Sequence, residues 1–296
     1  MQKLSLFILA LFVSAVTHAQ TSATSVLPYK YDELTGPDFS KAVQKSDGVC
    51  LLPIGILEKH GPHLPLGSDI FGSRAVASLA AEKEYCVVFP AYYFGQINEA
   101  RHQPGTISYS PETIWNLLQE TCSELSRNGF KKIIIVNGHG GNNDFLHYFC
   151  MSQLHSQKDY SLILFQPGED SVMTKKINSM RKTTTGGHAD EVETATLMVI
   201  RPDLVKIDRA ATQSGVNQER LEAIPFQYTG IWWYARYPNH YAGDGSKSTV
   251  ELGKLVLENK SDQLAKLIQT IKKSNKIEEL QNQFYQQAAD PLKTKQ

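Results

Sequence analysis

Apolar positions along the chain follow two alternating patterns. Short runs of β-branched and other apolar residues predict buried strands, whereas longer stretches with an apolar residue every three or four positions predict helices. Because the two patterns alternate, we expect an α/β fold with a mostly parallel sheet and helices on both faces. The predicted strands cover residues 49–57, 86–89, 132–136 and 162–165, the predicted helices cover 69–84, 111–127, 143–155 and 189–200, and another helical pattern contains Leu264, Leu267, Ile268 and Ile271.

The first residues have the pattern of an export signal. Lys3 precedes an apolar run over residues 4–16, and a segment of small residues follows through Ala19. This is typical of a secretory signal peptide over residues 1–19; the apolar run is short for a membrane-spanning helix, although a retained anchor is the alternative. We therefore expect a flexible polar segment over 20–30, a single domain over 31–296, and an exported protein, periplasmic or secreted, with no membrane contact after cleavage.

The composition of the chain argues against several kinds of binding partner. The chain has 30 basic and 30 acidic residues, and its formal net charge of zero argues against binding to nucleic acid or to an anionic membrane. The four cysteines form no Cys-x-x-Cys pair, which argues against a thiolate zinc site. Export permits disulfides, but Cys50, Cys86, Cys122 and Cys150 all lie in apolar patterns, so we expect buried free thiols.

The loop after the first predicted strand is rich in groups that bind metals. Glu58, His60, His63 and Asp69 lie together in the stretch 55–69, which also contains glycine and proline. Open α/β sheets bind ligands at the carboxyl ends of their strands, where this loop begins. Oxygen and nitrogen donors without cysteine suit zinc, manganese or iron. Asp69 also suits the N-cap of the next helix, and His63 is a candidate substrate contact or a partner of the backbone.

A glycine-rich turn follows the strand predicted at 132–136. It runs from Asn137 to Asn142 and leads into a helix, and its glycines let the backbone approach a ligand while free N–H groups favour anions. The spacing differs from nucleotide-binding motifs. We predict His139 as a metal ligand or acid–base group, with an incidental exposed histidine as the alternative. The turn residues predicted to contact substrate are Gly140, Gly141 and Asn142.

Three other segments contain candidate residues. His188 and Glu193 stand at the start of an apolar helix, and a buried carboxylate there needs an ion or a cationic side chain as its partner. The alternative is a salt bridge to an arginine, with His188 as a helix cap. His102, beside a strand end, is a candidate pocket residue. His240 lies in an aromatic loop that suits either a pocket wall or a subunit contact.

Taken together, these segments resemble the creatininase (creatinine amidohydrolase) family. The resemblance implies a three-layer α/β/α sandwich with two divalent metal ions per chain, zinc, manganese or iron. The matching pieces follow the same order over most of the chain beyond the signal peptide, and they are 58–65 with Asp69, 137–142, His188 and Ala189 with Glu193 and Thr194, and a late glycine–aspartate segment, 238–245.

The resemblance also implies a ligand set and a reaction. By motif position, Glu58 and His139 hold one ion, His60 holds the other, and Asp69 bridges the two. Such a pair of ions lowers the pKa of a shared water towards neutrality, so that this water attacks a carbonyl carbon. His188 is the candidate for carrying a proton to the leaving nitrogen.

Two departures from the family pattern bear on the site. Creatininase has a glutamate two residues after the turn histidine, where this chain has Gly141. We therefore assign Glu193 as the fifth ligand and as a catalytic residue, as in relatives that share the His-Gly-Gly-Asn turn. Ala100 stands where the family commonly has a histidine before Pro-Gly-Thr. The change at Gly141 weakens the case for creatinine as the substrate.

The implied activity is hydrolysis of a non-peptide C–N bond in a small molecule, such as a cyclic amide or a formamide. Alternatives within the family are a cyclic polyol-derived ketone and a small peptide. A non-catalytic alternative is an exported binding protein that keeps the fold, but the retained buried ligands argue against it, because unneeded buried charges are costly. The resemblance further implies a homo-oligomer, often a hexamer.

Overall fold

A four-stranded parallel sheet forms the centre of the molecule. The computed structural model describes residues 26–168 and 171–294. The strands are Val49–Ile54 (β1), Val87–Val88 (β2), Lys132–Asn137 (β3) and Ser161–Leu164 (β4). Their order is β2–β1–β3–β4, and all neighbours are parallel. Each coincides with a predicted strand, although β1 ends at Ile54 rather than at residue 57.

The two faces of the sheet bury separate cores. Along β1, Cys50 and Leu52 face one core, while Val49 and Leu51 face the other, as the alternation of side chains along a strand requires. All four side chains are fully buried. A strand covered on both faces has no polar positions, which explains why β1 is a continuous apolar run.

Helices cover both faces of the sheet and complete the three-layer α/β/α sandwich. They are Gly36–Lys45 (α1), Ser68–Lys83 (α2), Pro111–Arg127 (α3), Asn143–Ser152 (α4), Ser171–Met180 (α5), Glu191–Ile200 (α6), Trp232–Arg236 (α7), Val250–Lys273 (α8) and Lys276–Ala288 (α9). Helices α1, α3 and α4 pack on one face. Helices α2 and α8 pack on the other, and α6 packs against both of them.

A short antiparallel ribbon lies outside the main sheet and was not predicted from the sequence. It pairs Gly186–His188 (β5) with Ala242–Gly243 (β6). Strands this short and rich in glycine leave no apolar alternation to detect. The helix predicted to begin at residue 189 begins instead at Glu191, because the Asp190 side chain accepts two backbone N–H groups of its first turn. His188 therefore ends a strand and is not a helix cap.

Three of the four cysteines belong to the two cores. Cys50, Cys86 and Cys122 are buried and Cys150 is half-buried, and all are free thiols, as predicted. Burial raises the pKa of Cys122 to about 12 and that of Cys150 to about 11. These thiols stay protonated at physiological pH and are poor nucleophiles.

The N-terminal segment is held against the sheet from residue 29 onwards. The signal peptide predicted over 1–19 lies outside the described residues. Within the segment predicted as flexible, the carbonyl of Tyr29 accepts the N–H of Val88, and Lys30 pairs with Val88. This part of 20–30 thus extends the edge beyond β2. None of the helices in the described part of the chain is long and apolar enough to cross a membrane.

Candidate metal centre

Two glycines bring the ends of β1 and β3 against the first turn of α2. A Cβ at Gly55 would collide with the backbone of Ile70, and one at Gly138 would collide with the carbonyl of Asp69. Only glycine lets two backbone segments approach this closely. The loops after both strands therefore begin beside Asp69, and their side chains converge there.

Glu58, Asp69 and His139 form the first cluster of candidate ligands. His139 Nδ1 lies 2.8 Å from Glu58 Oε1 and 3.2 Å from Asp69 Oδ2. All three residues are buried, and their candidate ligand atoms lie within 4.8 Å of one another. The prediction that Asp69 is the N-cap of α2 is wrong, because the helix begins one residue earlier, at Ser68, with Gly67 at the cap. Its carboxylate faces the histidines instead.

His60 and His188 form a second cluster with Glu58. His60 Nε2 lies 2.9 Å from Asp69 Oδ1. His188 Nε2 donates to the carbonyl of Lys59 at 2.7 Å, and since a carbonyl only accepts, the other ring nitrogen, Nδ1, is left as the acceptor. The sequence assigned His188 to proton transfer, whereas the structure also places it among the candidate ligands.

Burial and neighbouring charges together set the pKa values in the two clusters. Burial disfavours a charged His60, but Asp69 raises the pKa of His60 to about 10. Burial also opposes ionisation of Glu58, yet the neighbouring histidines hold its pKa well below the usual value. The carboxylates outweigh burial at His139 and raise its pKa well above the usual value. Burial and the nearby His60 keep the pKa of His188 well below its usual value.

The donor set fits a divalent cation. Among the described residues, Glu58 Oε1, Asp69 Oδ2 and His139 Nε2 are buried atoms that have no hydrogen-bond partner. Such atoms are costly unless an ion or a polar group satisfies them. Carboxylate oxygens and imidazole nitrogens are ligands that zinc, manganese and iron accept. The clusters therefore agree with the type of metal that the sequence predicts.

Glu193 lines the same cavity as Glu58 and Asp69 but stands outside the two clusters. Burial raises the pKa of Glu193 to about 7. Its Oε2 accepts the N–H of Ala189 at 2.6 Å, and no arginine in the described part of the chain pairs with it. The alternative of an arginine salt bridge is therefore wrong, while the role of Glu193 as fifth ligand stays a prediction.

The space beside Gly141 is already filled. A Cβ at Gly141 would collide with Nε2 of His139 and would stand 2.6 Å from Oε1 of Glu99. The other oxygen of Glu99 accepts a hydrogen bond from Gln96 Nε2 at 2.9 Å. Glu99 thus supplies a carboxylate near the position where creatininase has its glutamate. Glu99 was not predicted as a site residue, because its neighbours in the sequence do not form a ligand motif.

Two adjoining cavities open over the clusters. The inner cavity has a volume of about 220 Å³ and the outer one about 820 Å³. Both are lined by Glu99, Gly140, Gly141 and Trp232, so the backbone of the two glycines borders the cavities. His102 lines only the outer cavity, where its Nε2 donates to the carbonyl of Pro238 at 2.9 Å.

Neither His63 nor Asn142 lines the inner or the outer cavity, and their contact with substrate stays a prediction. His63 is buried, and its Nε2 is 2.8 Å from the hydroxyl oxygen of Thr194. Burial lowers the pKa of His63 to about 4, so its ring stays neutral. Asn142 is fully buried, and its side-chain oxygen accepts the N–H of Gln96 at 2.8 Å. His63 thus connects its loop to α6, and Asn142 connects the turn after β3 to the loop around Gln96.

His240 belongs to the site, although no ligand or catalytic role was predicted for it. It is 2% exposed, lines the inner cavity, and its Nε2 donates to Oε2 of Glu58. The two residues are 182 positions apart in the sequence, so no local spacing links them. Its place in the late segment 238–245 was the only available indication.

Comparisons with known proteins agree with this architecture. A creatinine amidohydrolase of Pseudomonas putida is 27% identical over 207 residues, which are 65% of this chain and 80% of that protein. A 3-dehydro-scyllo-inosose hydrolase of Thermotoga maritima is 26% identical over 253 residues, 77% of this chain and 78% of that protein. A solved structure described as "Creatininase Mn" superposes with a TM-score of 0.69 at 22% identity, covering 82% of this chain and 98% of that one.

The fold and the site define a three-layer α/β/α protein with a candidate metal centre at the carboxyl ends of its parallel strands. The family model for creatininase, described as creatinine amidohydrolase, matches residues 32–268. The chain therefore belongs to the creatininase family. It is a creatininase-like amidohydrolase, a hydrolase that acts on carbon–nitrogen bonds.

Proposed function

We propose that the protein is an exported metal-dependent amidohydrolase that cleaves the C–N bond of a small cyclic amide or a formamide. The observation that supports this most strongly is the pair of buried clusters whose unpartnered ligand atoms adjoin an inner cavity of about 220 Å³. A cavity of this size suits a small ring. Export rests on the signal-like pattern of residues 1–19, and a homo-oligomer rests on the family resemblance.

Two divalent ions are proposed at the clusters. Glu58 and His139 would hold one, His60 the other, and Asp69 would bridge them, with Glu193 as the fifth ligand. When bound, such ions lower the pKa of a water and polarise a carbonyl group. The glycine contacts at β1 and β3 hold both loops against α2 and so bring these donors together.

Proton transfer is assigned to two groups of the chain. His188 keeps a neutral ring, and its bond to the carbonyl of Lys59 leaves Nδ1 to take a proton. Burial raises the pKa of Glu193 to about 7, so a Glu193 carboxylate that is not bound to an ion both binds and releases a proton near neutral pH. We propose that His188 delivers the proton to the leaving nitrogen, and that Glu193 exchanges a proton only when its carboxylate is not bound to an ion.

A metal-loaded substrate screen tests the proposal. The mature protein, loaded with zinc or manganese, is offered cyclic amides, formamides, an inosose and dipeptides, with His139→Ala as the inactive control. We expect hydrolysis of an amide or formamide that chelation abolishes. The inosose is included because the aligned Thermotoga maritima hydrolase covers 77% of this chain. Turnover of only the inosose or only the peptides would replace the proposed substrate class.

A further inference from the structure

His240 occupies an unusual backbone conformation for a residue with a side chain. Its φ angle is +51°, in the left-handed region that favours glycine. The residue is nevertheless buried, and its ring lines the inner cavity. A strained residue at a candidate active site suggests that its side chain is needed there.

The contacts of the ring define its tautomer. Trp233 Nε1 lies 2.8 Å from Nδ1 of His240, and because an indole N–H only donates, this ring nitrogen must accept. The ring proton is then on Nε2, which donates to Oε2 of Glu58. The three side chains form one directed chain of hydrogen bonds, from indole to imidazole to carboxylate.

The chain of bonds leaves the two oxygens of Glu58 in different situations. Oε2 accepts from His240, whereas Oε1 has no hydrogen-bond partner among the described residues and lies 2.8 Å from Nδ1 of His139. A carboxylate with one oxygen engaged presents the other in a fixed direction. Partners of this kind orient metal ligands in many proteins.

We propose that Trp233 and His240 are positioning residues that hold Glu58 so that Oε1 alone is offered to a metal ion. This proposal rests on the metal centre proposed above. Neither residue needs to touch the ion or the substrate for this role. Trp233 acts through His240, and His240 acts through Glu58.

Zinc and manganese affinity of purified, chelator-stripped protein tests the proposal, measured by competition with a metal-binding dye. His240→Gly removes the ring and at the same time suits the backbone at φ +51°. We expect its zinc affinity to fall by about 10- to 100-fold, as for other residues that orient ligands. His240→Gln should recover most of the affinity, because its amide N–H donates to Glu58 and its carbonyl accepts from Trp233.

A matched control separates the ring from the backbone. Asp47 is exposed and has the same φ of +51°, and it precedes β1, at the end of the strand opposite to the site. Asp47→Gly therefore changes the backbone in the same way without touching the site. It should leave metal affinity unchanged. Circular dichroism and urea unfolding of each variant confirm that the compared proteins are folded.

A double substitution tests whether Trp233 acts through His240, as a hydrogen-bond relay from indole to imidazole to carboxylate requires. Trp233→Phe keeps an aromatic ring but removes the donor, and we expect a loss of affinity smaller than that of His240→Gly. Once residue 240 is glycine, Trp233→Phe should have no further effect. Additive losses, or a folded His240→Gly protein with unchanged zinc affinity, would overturn the relay alone. A wild-type protein that binds neither zinc nor manganese would overturn the proposed function, and the relay with it.

Discussion

Asp69 is the residue whose position distinguishes this site from an ordinary buried ion pair. Its Oδ1 lies 2.9 Å from Nε2 of His60, and its Oδ2 lies 3.2 Å from Nδ1 of His139. One carboxylate therefore faces both clusters, with one oxygen for each. This is the geometry that a bridging ligand needs, and it explains why the side chain does not cap α2.

Asp69→Asn should be the most damaging change among the proposed ligands. Asparagine keeps the size but removes the charge that faces two buried histidines, and breaking such a buried pair costs about 3–5 kcal/mol in the metal-free protein. We also expect metal content to fall towards zero. Elemental analysis and urea unfolding measure the two effects, with the exposed Asp203→Asn as control. A variant with full metal content and turnover would show that Asp69 is not a bridge.

Glu193→Gln and His188→Ala should separate ligand from proton carrier. The glutamine keeps an acceptor for the N–H of Ala189, so the fold should persist while metal content falls towards one ion per chain. His188→Ala should keep both ions and slow turnover by about 10²- to 10⁴-fold. The measurements are metal content and kcat. If His188→Ala loses an ion instead, His188 is a ligand, and the transfer of the proton passes to Glu193.

The strand ends and the first turn of α2 act together because glycine permits their contact. Gly55 and Gly138 each stand where a Cβ would collide with the backbone of that turn. A methyl group at either position would clash with backbone atoms, and no change of side-chain rotamer can relieve such a clash. A strand end or the helix would have to move, and the candidate ligands would move with it.

Gly138→Ala should therefore weaken both the fold and the metal site. Overpacking of this kind costs about 1–3 kcal/mol, and we expect weaker zinc binding at the same time. Gly72→Ala is the matched control, because a Cβ at this position in α2 meets nothing within 4 Å, and alanine is the better helix former by up to about 1 kcal/mol. Equal stability and zinc affinity in Gly138→Ala and wild type would contradict the packing argument.

The sequence predicted those elements whose signals are local. The helix α3 was predicted with its observed bounds, since Pro111 follows the capping Ser110 and the chain turns at Asn128 and Gly129. The strands β1 and β3 were found from their apolar runs. The ribbon of β5 and β6, by contrast, depends on pairing between distant segments, and no local pattern encodes it.

The candidate site was predicted to a similar extent and for the same reason. Glu58, His60 and Asp69 share one loop, so their spacing could be recognised in the sequence. Glu99 and His240 come from segments in which no spacing of ligand residues marks them, and they reach the site only through the fold. The sequence also could not indicate that His63 turns away from the cavity to bond with Thr194.

For the molecule as a whole, the protonated histidines make stability depend on pH and on metal together. The pKa of His60 is raised from 6.5 to about 10, mainly by Asp69 acting against burial. A raised pKa means that the folded protein holds this proton more tightly than the unfolded chain does. Its contribution to stability is complete below pH 6.5 and is lost as pH rises through about 10.

The metal-free protein should accordingly lose stability between pH 7 and 10, whereas the zinc-loaded protein should not show this loss. A bound ion takes the place of the proton, and metal binding becomes tighter as the ligands deprotonate. Urea unfolding of both forms over this range measures the difference. Buried thiols and phenols titrate in both forms and cancel in the comparison. If the free energy of unfolding fell equally with pH in both forms, the proposed coupling between proton release and metal binding would be wrong.

The crowding around Gly141 also constrains how this chain can diverge from its relatives. Any side chain at position 141 begins where the ring edge of His139 and the carboxylate of Glu99 now lie. A glutamate there, as in creatininase, requires the imidazole to turn and Glu99 to withdraw. The side chains at positions 99, 139 and 141 are therefore coupled. A substitution at 141 requires the ring of His139 and the end of the Glu99 side chain to shift with it.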